Sequence, residues 1–458
     1  MNLLNLPRDE LLNAVENKKI VVCVVGLGRI GLPTAAIFAN AGFQVLGSDI
    51  DKTVVDEINS GKCRFYDEPG LKELVKKVTH SERLTASCEV GKCVSESDLT
   101  IICVPTPVNE SKVPDFSHIL KAVSVVAKSL QPGSLIVVES TVSPGTVESV
   151  IVPLIEKESG MKVSKDFGIV SCPERANPGE SLSKMHSVPR VIGGLDSRSS
   201  EIVSAIYKHA LQVSVLKVAD PKTANAVKLT ENIFRDVNIA LMSEFAILYE
   251  KLGIDAIEVI NACATKWNFI PHYPSAGVGG PCLPANAYYI IDEGLKVGYI
   301  PYLIRMGREI NDRMPDHVIS IVTEVLNAIG KVVNESKIAI LGVSYKPNIH
   351  DLQNTPFRHI CHSLKQMGSQ IIVYDPLFKG ESFFDLTGCQ TIEEALKDAD
   401  CIIIGTSHDE FKKLDLEQAF TFCNKPAALV DTQHIIDPSK ARENGFSYAG
   451  VGRPLNKR

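Results

Sequence analysis

Several features are missing from this 458-residue chain, and each absence closes a class of function. No apolar run reaches the roughly 18 residues that span a bilayer, so no membrane insertion is expected. The opening stretch "MNLLNLPRDELLNAVENKK" mixes charge through a weakly apolar helix and does not read as a signal peptide. No block of lysine and arginine stands out, and the formal net charge is −6. That argues against nucleic acid or an anionic membrane as partner. The twelve cysteines include no Cys-x-x-Cys pair and no Cys/His cluster at zinc spacing. Free thiols in a long chain point to a cytoplasmic setting and to no structural metal. No short-period repeat and no low-complexity tract appear.

Hydrophobic residues make up 45% of the chain, ample for several cores, and the length corresponds to about three domains. Up to about residue 200, apolar runs alternate with helical stretches: "KIVVCVVG", "QVLGSDI", "LTIICVPTP", "SLIVVES", "FGIVSCPE" and "VPRVIGG". This alternation predicts a parallel sheet wrapped by helices. From Asp220 to Leu252 the sequence reads helix without a break. Asp220 suits the N-cap, Pro221 the first turn and Gly253 the C-terminal stop. Such a helix is about 48 Å long, which suits a spine joining two domains and a homodimer contact. More helix is expected to about residue 330. Strand–helix alternation restarts at Lys337 with "KIAILGVSY", "QIIVYDP", "CIIIGTS" and "ALVDTQ".

"VVCVVGLGRIGLP" places Gly26, Gly28 and Gly31 as G-x-G-x-x-G between an apolar strand and a helix. The glycines let backbone approach a pyrophosphate at the helix's positive end. Arg29 and Ile30, between them, are further expected cofactor contacts. Asp49 ends the next strand, close to the spacing of about 20 residues expected for a carboxylate on ribose hydroxyls. It would repel a 2′-phosphate, so NAD is expected over NADP. The expected fold class is α/β, with two Rossmann-like parallel-sheet domains joined by a long helix and a helical central domain. The expected divisions are 1–205 for NAD, 206–330 for the helical part with the cysteine loop, and 331–458 for a second nucleotide-type domain.

"GVGGPCLPAN" surrounds Cys282 with three glycines and two prolines, a loop that something approaches closely. Lys228 and Asn232 lie four apart, on one face of the long helix. By themselves these could be a small apolar filler and a solvated pair. In one order, however, stand "VPTP", "ESTVSPGT", "PERANPG", "KLTENIFRDVNIAL", "GVGGPC" and "GVSYKP". Together they resemble the UDP-glucose/GDP-mannose dehydrogenase family over about residues 18–440. The helix motif is most similar to the branch acting on UDP-N-acetylhexosamines, UDP-N-acetyl-D-mannosamine among them.

The resemblance implies oxidation of a sugar C6 alcohol to a carboxylate with two NAD, in a role in polysaccharide synthesis. It implies Cys282 as the nucleophile of a thiohemiacetal and thioester. Lys228 and Asn232 match the groups that stabilise the oxyanion. Glu174 matches the glutamate of thioester hydrolysis, and Thr141 the threonine that holds a water. Thr106 and Thr141 are expected beside the cofactor. Arg175, Gly279 and Lys346 are expected beside the UDP-sugar, with Glu174, Lys228 and Asn232.

The chain departs from the family at several positions. Asn286 stands where an aspartate is usual; an amide positions water but takes no proton. Gln353 and Gln433 stand where arginines are common and cannot supply a charged fork. Three readings therefore stay open: a working dehydrogenase of a diverged branch, a weak or silent binding protein on this scaffold, and a different NAD enzyme such as a hydroxyacid dehydrogenase.

Overall fold

The computed structural model describes residues 1–176 and 179–455. Asn177 and Pro178 of the "PERANPG" motif and residues 456–458 lie outside the described residues. The chain forms two compact units, Met1–Glu231 with Tyr288–Gly298, and Asn232–Ala287 with Tyr299–Arg458.

Among its described residues the first unit carries eight strands: β1 (Val21–Val25), β2 (Gln44–Ser48), β3 (Leu84–Ser87), β4 (Leu99–Ile102), β5 (Leu135–Val138), β6 (Gly168–Ser171), β7 (Arg190–Gly194) and β8 (Val215–Lys217). They lie in the order 3-2-1-4-5-6-7-8. β4, β5 and β6 are buried throughout, as apolar strands covered on both faces by helices must be. The helix Gly31–Asn40 packs its Ala35, Ala36, Ile37 and Phe38 into this core. One expectation needs correcting: the sheet is not parallel throughout, because β7 runs antiparallel to β6. The connector between them holds a five-residue helix, Ser181–Met185, instead of a full crossover helix, and antiparallel neighbours need no crossover. β3 and β8 escaped the sequence reading, being short and partly exposed.

The second unit carries β9 (Lys337–Leu341), β10 (Gln370–Tyr374), a two-stranded hairpin of β11 (Ser382–Phe383) and β12 (Leu386–Thr387), β13 (Cys401–Ile404), β14 (Ala428–Asp431) and β15 (Ser447–Gly450). The five-stranded sheet has the order 10-9-13-14-15 and is parallel. The helix Tyr302–Ala328 packs Met314, Val318, Val322 and Val325 into its core.

The long helix is Pro221–Leu252, as the cap and stop residues predict. Asp220 Oδ1 accepts from Thr223 N at 2.7 Å. At the other end Gly253 takes φ +72°. There Gly253 N donates to Glu250 O at 3.1 Å and Ile254 N to Tyr249 O at 2.8 Å, which satisfies two terminal carbonyls. Among the described residues, no helix is long and apolar enough to cross a membrane.

Candidate functional site

The turn after β1 is shaped by its glycines. Gly26 has φ +91°, and a Cβ there would meet Cys103 O at 2.7 Å. A Cβ on Gly31 would meet Gly26 O at 1.8 Å. These two glycines close the turn against the sheet. Gly28 is exposed, and a Cβ there would have nothing within 4 Å, so this face is open. Ile30 caps the helix that opens at Gly31. Asp49, half-buried, accepts from Leu27 N at 2.8 Å and from Asp51 N at 3.0 Å. It therefore stands beside the glycine turn, as a ribose carboxylate must. Arg29 makes a two-bond ion pair with Asp67 at 3.1 and 2.9 Å and lies over Phe65. Thr106 Oγ1 donates to Thr141 O at 2.7 Å, so these two expected cofactor residues do come together.

Behind them is a buried charge network that the motifs did not reveal. Arg190 binds Glu174 with one arm and Glu139 with the other, the latter at 2.8 Å. Glu139 also accepts from Tyr207 OH at 2.8 Å, Thr34 at 3.3 Å and the Cys103 thiol at 3.2 Å. Glu174 accepts from Arg175 N at 2.7 Å and Ala176 N at 2.5 Å. Burial pushes the Glu174 carboxyl up, but Arg190's charge and hydrogen bond, the Ala176 N–H and the charge of Lys228 outweigh it and hold Glu174 below the ordinary carboxylate range. Burial dominates at Glu139, whose carboxyl is raised despite Arg190. Arg175 pairs with Glu231 and donates to Pro189 O at 2.7 Å. The sequence did offer one signal for this network: Glu139 and Arg190 are charges abutting wholly buried apolar strands, which only pairing can sustain.

The cysteine loop lies in the second unit. Cys282 precedes the helix Leu283–Lys296, and its carbonyl accepts from Ala285 N at 3.2 Å and Asn286 N at 2.9 Å. It thus stands at a helix N-terminus, where the macrodipole favours an anion. Of the twelve cysteines, Cys88 and Cys282 are the exposed ones. Cys172 and Cys361, by contrast, are buried, and burial pushes both thiols up to about 12. Asn232 Nδ2 donates to Asn286 Oδ1 at 2.5 Å, and both amides are buried. Asn286 therefore keeps the acceptor that an aspartate would offer Asn232 and lacks the capacity to take a proton. Asn232 has a second N–H, as every primary amide does.

The glycines around the cysteine are explained by a neighbour within the same unit. A Cβ on Gly279 would lie 2.7 Å from Tyr345 Cβ and 2.9 Å from Asn354 O. One on Gly280, at φ +88°, would lie 2.7 Å from the Tyr345 ring. Lys346 is half-buried in the turn after β9. Gln353 is exposed, and its N–H donates to Asp351 Oδ1 at 2.8 Å. Gln433 N–H donates to Asp431 Oδ1 at 2.9 Å, and its side chain to Thr432 Oγ1 at 3.3 Å.

Three models of one family match the chain in order. They are the NAD binding domain of the UDP-glucose/GDP-mannose dehydrogenase family over residues 20–211, its central domain over 222–313 and its UDP binding domain over 339–438. The chain belongs to the UDP-glucose/GDP-mannose dehydrogenase family. It is an NAD-dependent nucleotide-sugar 6-dehydrogenase, with NAD as cofactor and a UDP-sugar as substrate. A UDP-N-acetyl-D-mannosamine dehydrogenase of Methanococcus maripaludis is 34% identical over 440 residues, 94% of this chain and 96% of that protein. A UDP-N-acetyl-D-glucosamine 6-dehydrogenase of Pseudomonas aeruginosa is 33% identical over 93% of this chain and 99% of its own length. The solved structure of a UDP-D-ManNAc dehydrogenase from Pyrococcus horikoshii matches with a TM-score of 0.88 at 32% identity, covering 95% of this chain and 100% of that one.

The residues present fit NAD. The open face at Gly28, the helix start at Gly31 and Asp49 beside the turn supply a backbone cradle, a positive helix end and a ribose acceptor. Bound there, NAD would supply a hydride acceptor.

Proposed function

We propose that the chain oxidises the C6 alcohol of UDP-N-acetyl-D-mannosamine to the uronate through a thioester on Cys282. The observation that carries this reading is Cys282 itself: an exposed cysteine at a helix N-terminus, beside a buried Asn232–Asn286 amide pair. Residues 1–205 would hold NAD, 206–330 the cysteine loop and 331–458 the UDP-sugar. The choice of N-acetylmannosamine rests on the helix motif and on the names of the relatives.

The alcohol loses two electrons to become the aldehyde. The Cys282 thiolate then forms a C–S bond to the carbonyl carbon, and the oxygen takes a proton. A second two-electron oxidation of this thiohemiacetal gives the thioester. Water adds, the C–S bond breaks, and carboxylate and thiol leave. The sum is alcohol, water and two oxidised cofactors giving carboxylate, two reduced cofactors and three protons. Lys228 and the second N–H of Asn232 would meet the negative oxygen. Asn286 would hold Asn232 in place. Glu174, whose carboxyl Arg190 holds below the ordinary carboxylate range, would accept a hydrogen bond from the attacking water and orient it. Thr141 would hold that water. Lys346 and Arg175 would contact the nucleotide-sugar.

The exposed stripe Phe234, Leu241, Phe245, Leu248 and Leu252 on the long helix supports a homodimer through this face.

Uronate formation from UDP-N-acetyl-D-mannosamine and from UDP-N-acetyl-D-glucosamine, followed by mass spectrometry for wild type, Cys282→Ser and Glu174→Gln, tests the reading. The mannosamine substrate should be preferred, and Cys282→Ser should yield no uronate. Uronate formation by Cys282→Ser at the wild-type rate would refute the thioester route.

A further inference from the structure

The loop from Tyr345 to Pro356 and the cysteine loop belong to one unit, and their contacts are specific. Gly280 N donates to Gln353 O at 2.9 Å. Asn354 Nδ2 donates to Gly280 O at 3.0 Å. Both hydrogen-bonding groups of one glycine, two residues ahead of Cys282, are thus taken by one loop. Tyr345 lies so close that neither Gly279 nor Gly280 could carry a Cβ. Gly277, at φ +133°, is crowded less tightly, with Pro356 Cβ at 3.2 Å from a Cβ built there. Asn354 is itself left-handed, at φ +51°, and its own O lies 2.9 Å from a Cβ built on Gly279.

The gripping loop also has a fixed base. Asn348 N donates to His408 Nδ1 at 2.9 Å, and Thr406 Oγ1 donates to Ser344 O at 2.7 Å. Lys346 follows Tyr345 at its start. The backbone at Gly279 and Gly280, just ahead of the cysteine, is therefore clasped by the same loop whose lysine is read above as a nucleotide-sugar contact.

We propose that Tyr345 and Asn354 are positioning residues for Cys282, and that a uridine diphosphate held at Lys346 alters the reactivity of Cys282 through their grip. This rests on the reading of Lys346 under Proposed function. Gln353 then acts through its main-chain oxygen, which an arginine in its place would also present; its side chain plays no part in the clasp.

The test is the alkylation rate of Cys282 by iodoacetamide in the full chain, read by peptide mass spectrometry against exposed Cys88 as internal reference. UDP alone is the probe, and its binding is measured separately by calorimetry. The variants are Tyr345→Ala and Asn354→Gly; glycine tolerates the left-handed backbone, so the second removes the Nδ2 donor without strain. In wild type, UDP should change the Cys282 rate by at least about fivefold while Cys88 stays constant. In both variants UDP should still bind, and the change should fall below about twofold, beneath the coupling scale expected for linked sites. Calorimetric binding with no change at Cys282 in wild type, or an undiminished change in the variants, would overturn the inference. Unaltered UDP binding by Lys346→Ala would instead overturn the reading of Lys346.

Discussion

Gly26 and Gly342 hold the same place in their two sheets. Each follows the strand at the middle of its Rossmann-like crossover, β1 or β9. Each donates its N–H to the last residue of the neighbouring strand, Ser48 or Tyr374, at 2.8 Å. Their φ values are +91° and +88°. The residue just after that neighbouring strand is in each case an aspartate, Asp49 or Asp375, that accepts from the turn's amides. Beyond that the two diverge. Asp49 is half-buried and keeps capacity beside an open face at Gly28. Asp375 is fully buried and spent: it takes Val343 N at 2.9 Å, Leu377 N at 3.0 Å, Ser344 and the ring of His408 at 3.1 Å. One strand-end carboxylate stays half-buried beside the open glycine turn. The other fastens the loop that bears Lys346. A shared fold thus says where a site can form, and the hydrogen-bond accounting says whether the carboxylate there remains available.

The sharpest way to break this comparison is to delete each carboxylate. Asp375→Ala strands a buried histidine and two amides, and should cost about 3–5 kcal/mol of stability, seen in urea unfolding. It should leave the KM for NAD unchanged. Asp49→Ala should do the reverse. Losing a charged hydrogen-bond acceptor worth about 1.5–3 kcal/mol should raise the KM for NAD roughly 10–150-fold, with a small stability change. A Tm loss at Asp49 equal to that at Asp375 would erase the distinction.

Glycine replacements sharpen it further. Gly26→Ala and Gly342→Ala both force a Cβ to about 2.7 Å from a neighbour at positive φ, and each should cost about 1–3 kcal/mol in unfolding. Gly28→Ala meets no such neighbour in the protein. It should change stability by less than about 0.5 kcal/mol while weakening NAD binding.

The smallest effect is on acid stability. Burial pushes the Asp375 carboxyl up, but the His408 hydrogen bond and charge and the Val343 and Leu377 amides outweigh it, so its folded value lies below the ordinary one. A depressed carboxylate stabilises fully above the unfolded value near about pH 4 and loses that contribution as pH falls through the folded value. Urea unfolding of Asp375→Asn from pH 5 to pH 2 should therefore show a shallower loss of stability than wild type. Equal slopes would remove Asp375 from the acid transition.

Much of this was legible in the sequence because it was local. The capped and stopped helix Pro221–Leu252 and the glycine fingerprint announce themselves by residue type and spacing. The buried apolar runs that became β1, β4, β5, β9 and β13 do the same. Short, half-exposed strands such as β3 and β8 carry too few apolar residues to show a period. The antiparallel β7 depends on the length and path of its connector, which composition does not state. The clasp of Tyr345 on Gly280, and the sharing of Arg190 between Glu139 and Glu174, join residues far apart in the chain. For the cysteine loop the glycines told that something approaches closely; they could not tell that a protein loop does so.

The most direct measurement for the account as a whole is the ratio of NADH to uronate formed from UDP-N-acetyl-D-mannosamine by the wild-type chain. Two oxidations at one carbon, linked by a cysteine adduct, predict two NADH for each uronate and no free aldehyde. One NADH per product, with an aldehyde that hydrazine can trap at full yield, would contradict it.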